Sequence, residues 1–328
     1  MGEKIGIIGA GGWGIALSIL LNKLKNKVFI WEPIKENYEI LIKTRENINY
    51  FKNVKIPKSI EISNSLGEVV ENSEILIIVV RSSFFRHTIK ELKLYYDNQP
   101  IIIGTKGLEF KTEKRMSEIL EEFIITKNYA VLSGPTIAKE IVKGYPTAAT
   151  IASYDTKISE YFQKIISCEN FRIYSSDDII GVEIGGAFKN VIAIGAGIID
   201  GLKLGINTKS SYLTRGLNEM IKIGTFLGGE EKTFRGLSGM GDLITTSFSK
   251  YSRNRSFGEG IVKIGKEEYL KNAKMVIEGI PTTKAFYKLS KKFNIELPIT
   301  EAIYKIIYKN SDVRKGIKKL MLRELKRE

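Results

Sequence analysis

Residues 4–32 read KIGIIGAGGWGIALSILLNKLKNKVFIWE, and the order of parts in this stretch decides the fold. Lys4 to Ile8 is a short apolar run rich in β-branched residues, Gly9-Ala10-Gly11-Gly12-Trp13-Gly14 is a glycine turn, and Ile15 to Lys25 carries apolar positions at helical spacing. Strand, glycine turn and helix in that order form the setting in which G-x-G-x-x-G holds a dinucleotide pyrophosphate. Gly9 permits the tight turn, Gly11 lets the backbone approach the anion, and Gly14 lets helix and strand pack closely. The helix N-terminus adds unbonded N–H groups and the positive end of its dipole. The next strand, Lys27 to Trp31, ends at Glu32, where an acidic side chain accepts hydrogen bonds from the adenine ribose hydroxyls. The glycines alone fit a plain βα turn; Glu32 at this spacing favours the dinucleotide. A carboxylate here opposes the extra phosphate of NADP, so the reading leans toward NAD(H), although Lys35 and Arg45 are cations that could reach a 2′-phosphate.

Further strands are written in Ile75 to Val80, Ile101 to Gly104 and Tyr129 to Leu132, each a continuous apolar run suited to a parallel strand buried on both faces. In a doubly wound sheet the ligands lie beyond the carboxyl ends of the strands. Gly12, Trp13, Arg81, Lys106, Gly134 and Thr136 all follow strand ends and are expected at one crevice.

Beyond Gly181 this alternation stops, and helical segments follow: Ile179 to Ile199, Ser210 to Leu227, Ser252 to Ile264, Thr282 to Phe293, Thr300 to Lys309 and the tail from Arg314. Two domains are therefore expected, residues 1–180 and 181–328, the second all-α. Its first helix opens with Ser175 and Asp178 at capping-box spacing and is apolar except for Glu183, Lys189 and Asn190. Gly185 and Gly186 share the face of Lys189 and leave room around its ammonium. An ammonium in apolar surroundings needs a carboxylate or an anionic ligand, unless its stem snorkels to the surface. Asp242, in Gly239-Met240-Gly241-Asp242, is a candidate partner set between flexible turns. Ser252-Arg253-Asn254-Arg255 stands at a helix start and offers a hydroxyl, guanidinium groups, an amide and backbone N–H groups to a phosphate.

The helix is long enough to cross a bilayer, and Gly197 and Gly201 have GxxxG spacing, but two charges and an amide near its middle argue against insertion. Ile5 to Leu21 resembles a signal peptide only superficially, since it holds the glycine turn and no cleavage pattern follows. A single cysteine, Cys168, among 328 residues excludes an internal disulfide and fits the cytoplasm. The lone histidine, His87, reads as a surface residue, so the proton donor must be another group. No metal-ligand set is assigned. The net charge of +14, from 51 Lys and Arg against 37 Asp and Glu, points to anionic partners. The lysines are spread along the chain rather than interleaved with aromatics, which favours a phosphorylated small molecule over nucleic acid.

With these pieces placed, the chain resembles the bacterial NAD(P)-dependent glycerol-3-phosphate dehydrogenases. The resemblance rests on GAGGWG at 9–14, TKGLE at 105–109, SGPTIAKE at 133–140, GGAFKNVIAIGAGIIDG at 185–201, RGLSGMGDL at 235–243, SRNRSFG at 252–258, IEG at 277–279 and LPITE at 297–301. It implies a Rossmann-like first domain, an all-α second domain of the 6-phosphogluconate dehydrogenase type, and reversible reduction of dihydroxyacetone phosphate to sn-glycerol 3-phosphate for glycerophospholipid synthesis. It also implies that Lys189 is catalytic and that Lys106, Gly134, Thr136, Lys189, Asp242, Ser252, Arg253 and Asn254 bind substrate; in the mechanism expected here, Asp242 orients the Lys189 ammonium and Lys106 polarises the carbonyl. Cofactor contacts carry over onto Gly12, Trp13, Lys106, Ala138, Arg253, Val276 and Glu278, and a homodimer is left open. Two departures stand out: Val80-Arg81-Ser82, where relatives often read VPS, and Glu32-Pro33, where many place His or Arg. A dehydrogenase for another hydroxyacid would share the fold without the joint GPT, KN and SRN motifs. A basic nucleic-acid or membrane binder would leave the glycine turn unexplained.

Overall fold

The computed structural model describes residues 2–273, 275–325 and 327. It divides into two compact units, one of 1–106 with 114–183 and the other of 107–113 with 184–328. The short segment Gly107–Glu113 thus groups with the helical unit, although the sequence expectation assigned everything up to 180 to the first domain.

The first unit is built on a sheet of eight strands: β1 (Lys4–Ile8), β2 (Lys27–Trp31), β3 (Glu61–Ser63), β4 (Ile75–Ile78), β5 (Ile101–Ile103), β6 (Tyr129–Ser133), β7 (Thr147–Ala152) and β8 (Phe171–Ser176). Their spatial order is β3-β2-β1-β4-β5-β6-β7-β8, parallel throughout except for the β6–β7 pair. The order reverses at β1, which lies between β2 and β4 with Ile8 in register with both Trp31 and Ile78. The central strands are buried along almost their whole length because helices cover both faces: Ile5, Ile7 and Ile30 pack into one layer, Ile8, Leu76 and Ile78 into the other. The short strand β3 and the strands β7 and β8 carry no uninterrupted apolar run, and the sequence reading did not find them.

Ile179–Gly201 forms one helix that begins in the first unit and continues into the second. Its start differs from expectation. Ser175 belongs to β8, and it is the Asp178 carboxylate that accepts the Gly181 N–H at 2.7 Å, so Asp178 alone does the capping. Among the described residues this is the one helix long and apolar enough to span a membrane, but 94% of its apolar window is buried within the protein. It is a core helix.

The second unit is helical. The helices Gly205–Phe226, Arg253–Ile264, Gly279–Lys292 and Pro298–Lys309 each start a few residues from the expected boundaries, and Ser252 is the N-cap of the second, accepting the Arg255 N–H at 3.2 Å. The Gly197 and Gly201 stripe serves packing. A Cβ on Gly197 would lie 1.8 Å from the Arg255 carbonyl oxygen, and one on Gly258 would lie 1.8 Å from that of Ile194. The long helix and the Arg253–Ile264 helix therefore touch backbone to backbone. The expected amphipathic tail is a helix over Val313–Met321; Lys326 and Glu328, which the expectation included, lie outside the described residues.

One buried carboxylate in this unit makes stability depend on pH. Glu219 accepts the N–H groups of Ile299 and Thr300 and the Thr300 hydroxyl, closing the N-terminus of the Pro298–Lys309 helix. Burial outweighs these donors and pushes its carboxyl up to about 7 from 4.5. A raised folded-state value means that this group's stabilisation is complete below about pH 4.5 and fades as pH rises through about 7. Denaturant midpoints measured at pH 5 and pH 8 should fall more steeply in the wild type than in Glu219→Gln; equal slopes would contradict this assignment.

Candidate active site

The glycine turn has the form its sequence promised. Gly9 takes φ +123°, and a Cβ on Gly14 would lie 2.0 Å from the Gly9 carbonyl oxygen, so neither tolerates a side chain. Around Gly11 the space is open: the nearest atom to a Cβ there is the Tyr50 hydroxyl at 3.9 Å. The helix Gly12–Lys23 starts directly beyond it without a side-chain cap, which leaves its first N–H groups to an anion. Trp13 adds a second sign of a ligand, since its indole Nε1 is buried without a hydrogen-bond partner. A shielded turn of bare backbone, open at one glycine and flanked by an orphaned donor, fits a dinucleotide. Glu32 is buried where β2 ends, and its Oε1 accepts the Ile34 N–H at 3.0 Å. Burial lifts its carboxyl above the usual range, while the Ile34 N–H, the Asn37 side chain and the Arg81 charge pull the other way.

The strand ends beyond β5 and β6 gather three of the expected residues. Thr105 donates its hydroxyl to the Val80 carbonyl at 2.8 Å and so ties the β5 loop to the end of β4. The adjacent Lys106 ammonium then reaches the Gly134 carbonyl at 2.9 Å and the Thr136 hydroxyl at 3.4 Å. Gly134 sits at φ +146° with Ala149 directly beneath it, a position only glycine fills without strain. Ala138 begins the short helix that follows. His87 is exposed on the Ser82–Leu92 helix, as expected of a surface residue.

In the second unit Lys189 is buried, and its ammonium lies 2.6 Å from Asp242 Oδ1 and 2.8 Å from the Thr246 hydroxyl. The carboxylate is not between flexible turns. Leu237–Gly241 is a wide helical turn of π type that runs straight into the Asp242–Phe248 helix, so Asp242 occupies a first helical turn, where the dipole favours a negative charge. Thr246, one turn later, accepts from Lys189 and donates to Asp242 at 3.2 Å. No sequence motif singled Thr246 out; the i+4 spacing from Asp242 on a helix was the available signal. Gly185 has a task that the sequence did not show: a Cβ there would strike the Ser238 carbonyl oxygen at 2.8 Å, so this glycine admits the π turn that leads into Asp242.

The Ser252–Arg255 cluster separates into different tasks. Arg255 pairs with Asp200 at 2.6 Å and Glu259 at 3.3 Å, within a network that includes Lys209, so its charge is spent on structure. Arg253 is exposed and reaches the Val276 carbonyl at 2.9 Å. Asn254, buried, donates to Asn190 at 2.8 Å and accepts the Gly279 N–H at 2.9 Å. It pins the helix start to the residue beside Lys189 and to the turn of Val276 and Glu278.

A doubly wound sheet with an open glycine turn, joined in one chain to a helical unit that holds a lysine against a carboxylate inside its core, defines a nicotinamide-dependent dehydrogenase. Comparison with known proteins narrows the class. The chain belongs to the NAD-dependent glycerol-3-phosphate dehydrogenase family, whose N-terminal model matches residues 4–159 and whose C-terminal model matches residues 178–318. The protein called glycerol-3-phosphate dehydrogenase [NAD(P)+] in Fusobacterium nucleatum is 43% identical, covering 99% of this chain and 98% of its own. Its counterpart in Thermoanaerobacter is 44% identical over the same shares. The crystal structure of glycerol-3-phosphate dehydrogenase from Coxiella burnetii superposes with a TM-score of 0.94 at 34% identity, covering 98% of this chain and 99% of that one.

Proposed function

We propose that the enzyme reversibly reduces dihydroxyacetone phosphate to sn-glycerol 3-phosphate, using NAD(P)H, and supplies glycerophospholipid synthesis in the cytoplasm. The observation that carries the reading is the buried Lys189 ammonium held by Asp242 and Thr246, in a chain whose family acts on glycerol 3-phosphate. The free Cys168 supports a reducing compartment.

The bound nicotinamide supplies the hydride. Lys189 donates the proton that the ketone oxygen must gain, and its positive charge stabilises that oxygen as negative charge develops. The Asp242 carboxylate is the counter-charge that a buried ammonium needs. Asp242 and Thr246 also hold the ammonium by hydrogen bonds and so fix the direction of the Nζ atom. Lys106, directed at the Gly134 carbonyl and the Thr136 hydroxyl, offers a further ammonium to an anionic ligand of the first unit. Glu32 accepts the adenine ribose hydroxyls, and Gly9, Gly11, Gly12, Trp13 and Gly14 hold the pyrophosphate. Arg253, with the N–H groups that open its helix, receives the substrate phosphate, while Asn254 keeps that helix start in place.

Arg253→Ala removes one charge-assisted contact to the phosphate and leaves Lys189 untouched. The expected signature is a KM for dihydroxyacetone phosphate raised roughly tenfold to a hundredfold with kcat changed much less. Steady-state kinetics of the variant check it, and an unchanged KM rejects the phosphate role.

A further inference from the structure

Arg81 is a cation that none of these roles uses. β2 and β4 flank β1, with Trp31 and Ile78 both in register with Ile8. Glu32 follows Trp31 directly and Arg81 is the third residue after Ile78, so the two stand on opposite sides of the glycine turn at the carboxyl edge of the sheet. Two strand spacings, about 10 Å, separate their backbones, a gap that a glutamate and an arginine side chain can span together. The guanidinium is near enough for its charge to favour the ionised Glu32, yet among the described residues it forms no hydrogen bond or ion pair. A planar fork of donors beside a ribose-binding carboxylate, with no protein acceptor of its own, matches the geometry of a phosphate monoester.

We propose that Arg81 is the residue that admits NADPH: its guanidinium takes the 2′-phosphate that Glu32 alone would repel, while Glu32 serves the free hydroxyls of NADH. The proposal rests on the first unit being the dinucleotide cradle. It makes the pair a two-way reader, with an acceptor for NADH on the β2 side and a cation for NADPH on the β4 side.

The test is fluorescence titration of the full chain with NADH and with NADPH, without substrate, for the wild type, Arg81→Ala and Glu32→Gln. Arg81→Ala should weaken NADPH binding roughly tenfold to a hundredfold and NADH binding less than about threefold. Glu32→Gln should move the ratio the other way, weakening NADH and sparing or improving NADPH. Equal losses for both dinucleotides in Arg81→Ala, or no loss for either, would overturn the role of Arg81 while the cradle stood. Failure of the wild type to bind either dinucleotide would overturn the cradle and the proposal together.

Discussion

Lys189→Ala is expected to lower kcat for dihydroxyacetone phosphate reduction about ten-thousand-fold while leaving NADH binding within about twofold of the wild type. The first figure combines loss of the proton donor with loss of the charge that faces the developing alkoxide. The second follows from placement, because the glycine turn and Glu32 belong to the first unit and Lys189 to the second. The substitution has a structural side that must be separated from the catalytic one. It strands the Asp242 carboxylate, only 2% exposed, without its counter-ion, and breaking a buried pair from one side costs about 3–5 kcal/mol. The double variant Lys189→Met with Asp242→Asn removes both charges and should recover much of that stability. It should recover none of the turnover. If the double variant regained activity together with stability, Lys189 would be a structural residue and the mechanism would be wrong.

The second large effect concerns packing. Gly258→Ala adds a methyl group 1.8 Å from the Ile194 carbonyl oxygen and 2.9 Å from the Ile198 nitrogen, both backbone atoms of the long helix. On an exposed helix the same change would stabilise by about 1 kcal/mol through propensity. Here the steric term decides the sign: the two helices must part, and overpacking of this kind costs about 3 kcal/mol or more. In a chain of this size the melting temperature should drop by about 5–10 °C. Thermal denaturation of the purified variant measures it, and an unchanged or higher melting temperature would show that the helices are not in backbone contact.

These two residues also mark how far the sequence could be read. Gly9 and Gly14 announce their role because a tight turn and a close helix–strand contact have a fixed spacing along the chain, and the structure gives them that role. The pairing of Lys189 with Asp242 follows from need, since a lysine inside an apolar run must find a carboxylate or an anion, and Asp242 stood in a glycine-rich segment as a candidate. What stayed hidden depends on contacts between distant segments. Arg253 and Arg255 look alike in SRNR; only the fold brings Asp200 and Glu259 to Arg255 and leaves Arg253 exposed. Asn254 reads as a phosphate ligand, and its ties to Asn190 and Gly279, 64 and 25 residues away, could not be read from the motif. Thr246 carries no motif, and its bond to Lys189 exists because Leu237–Gly241 is wound as a π turn that sets the register of the following helix. The strands β7 and β8 escaped notice because each mixes polar and apolar positions and one of them runs against its neighbour β6. Gly185 and Gly197 were legible as small residues in a buried helix, but which backbone they admit is a property of the packed unit.

The central claim is that a ketone bearing a phosphate is reduced at the expense of a nicotinamide, with Lys189 as the proton donor. Loss of absorbance at the reduced nicotinamide band, followed after adding dihydroxyacetone phosphate or unphosphorylated dihydroxyacetone to the wild-type enzyme and to Lys189→Ala, tests it most directly. Rapid oxidation with the phosphorylated ketone only, abolished in the variant, is the predicted result. Equal rates with the two ketones, or undiminished oxidation in Lys189→Ala, would contradict it.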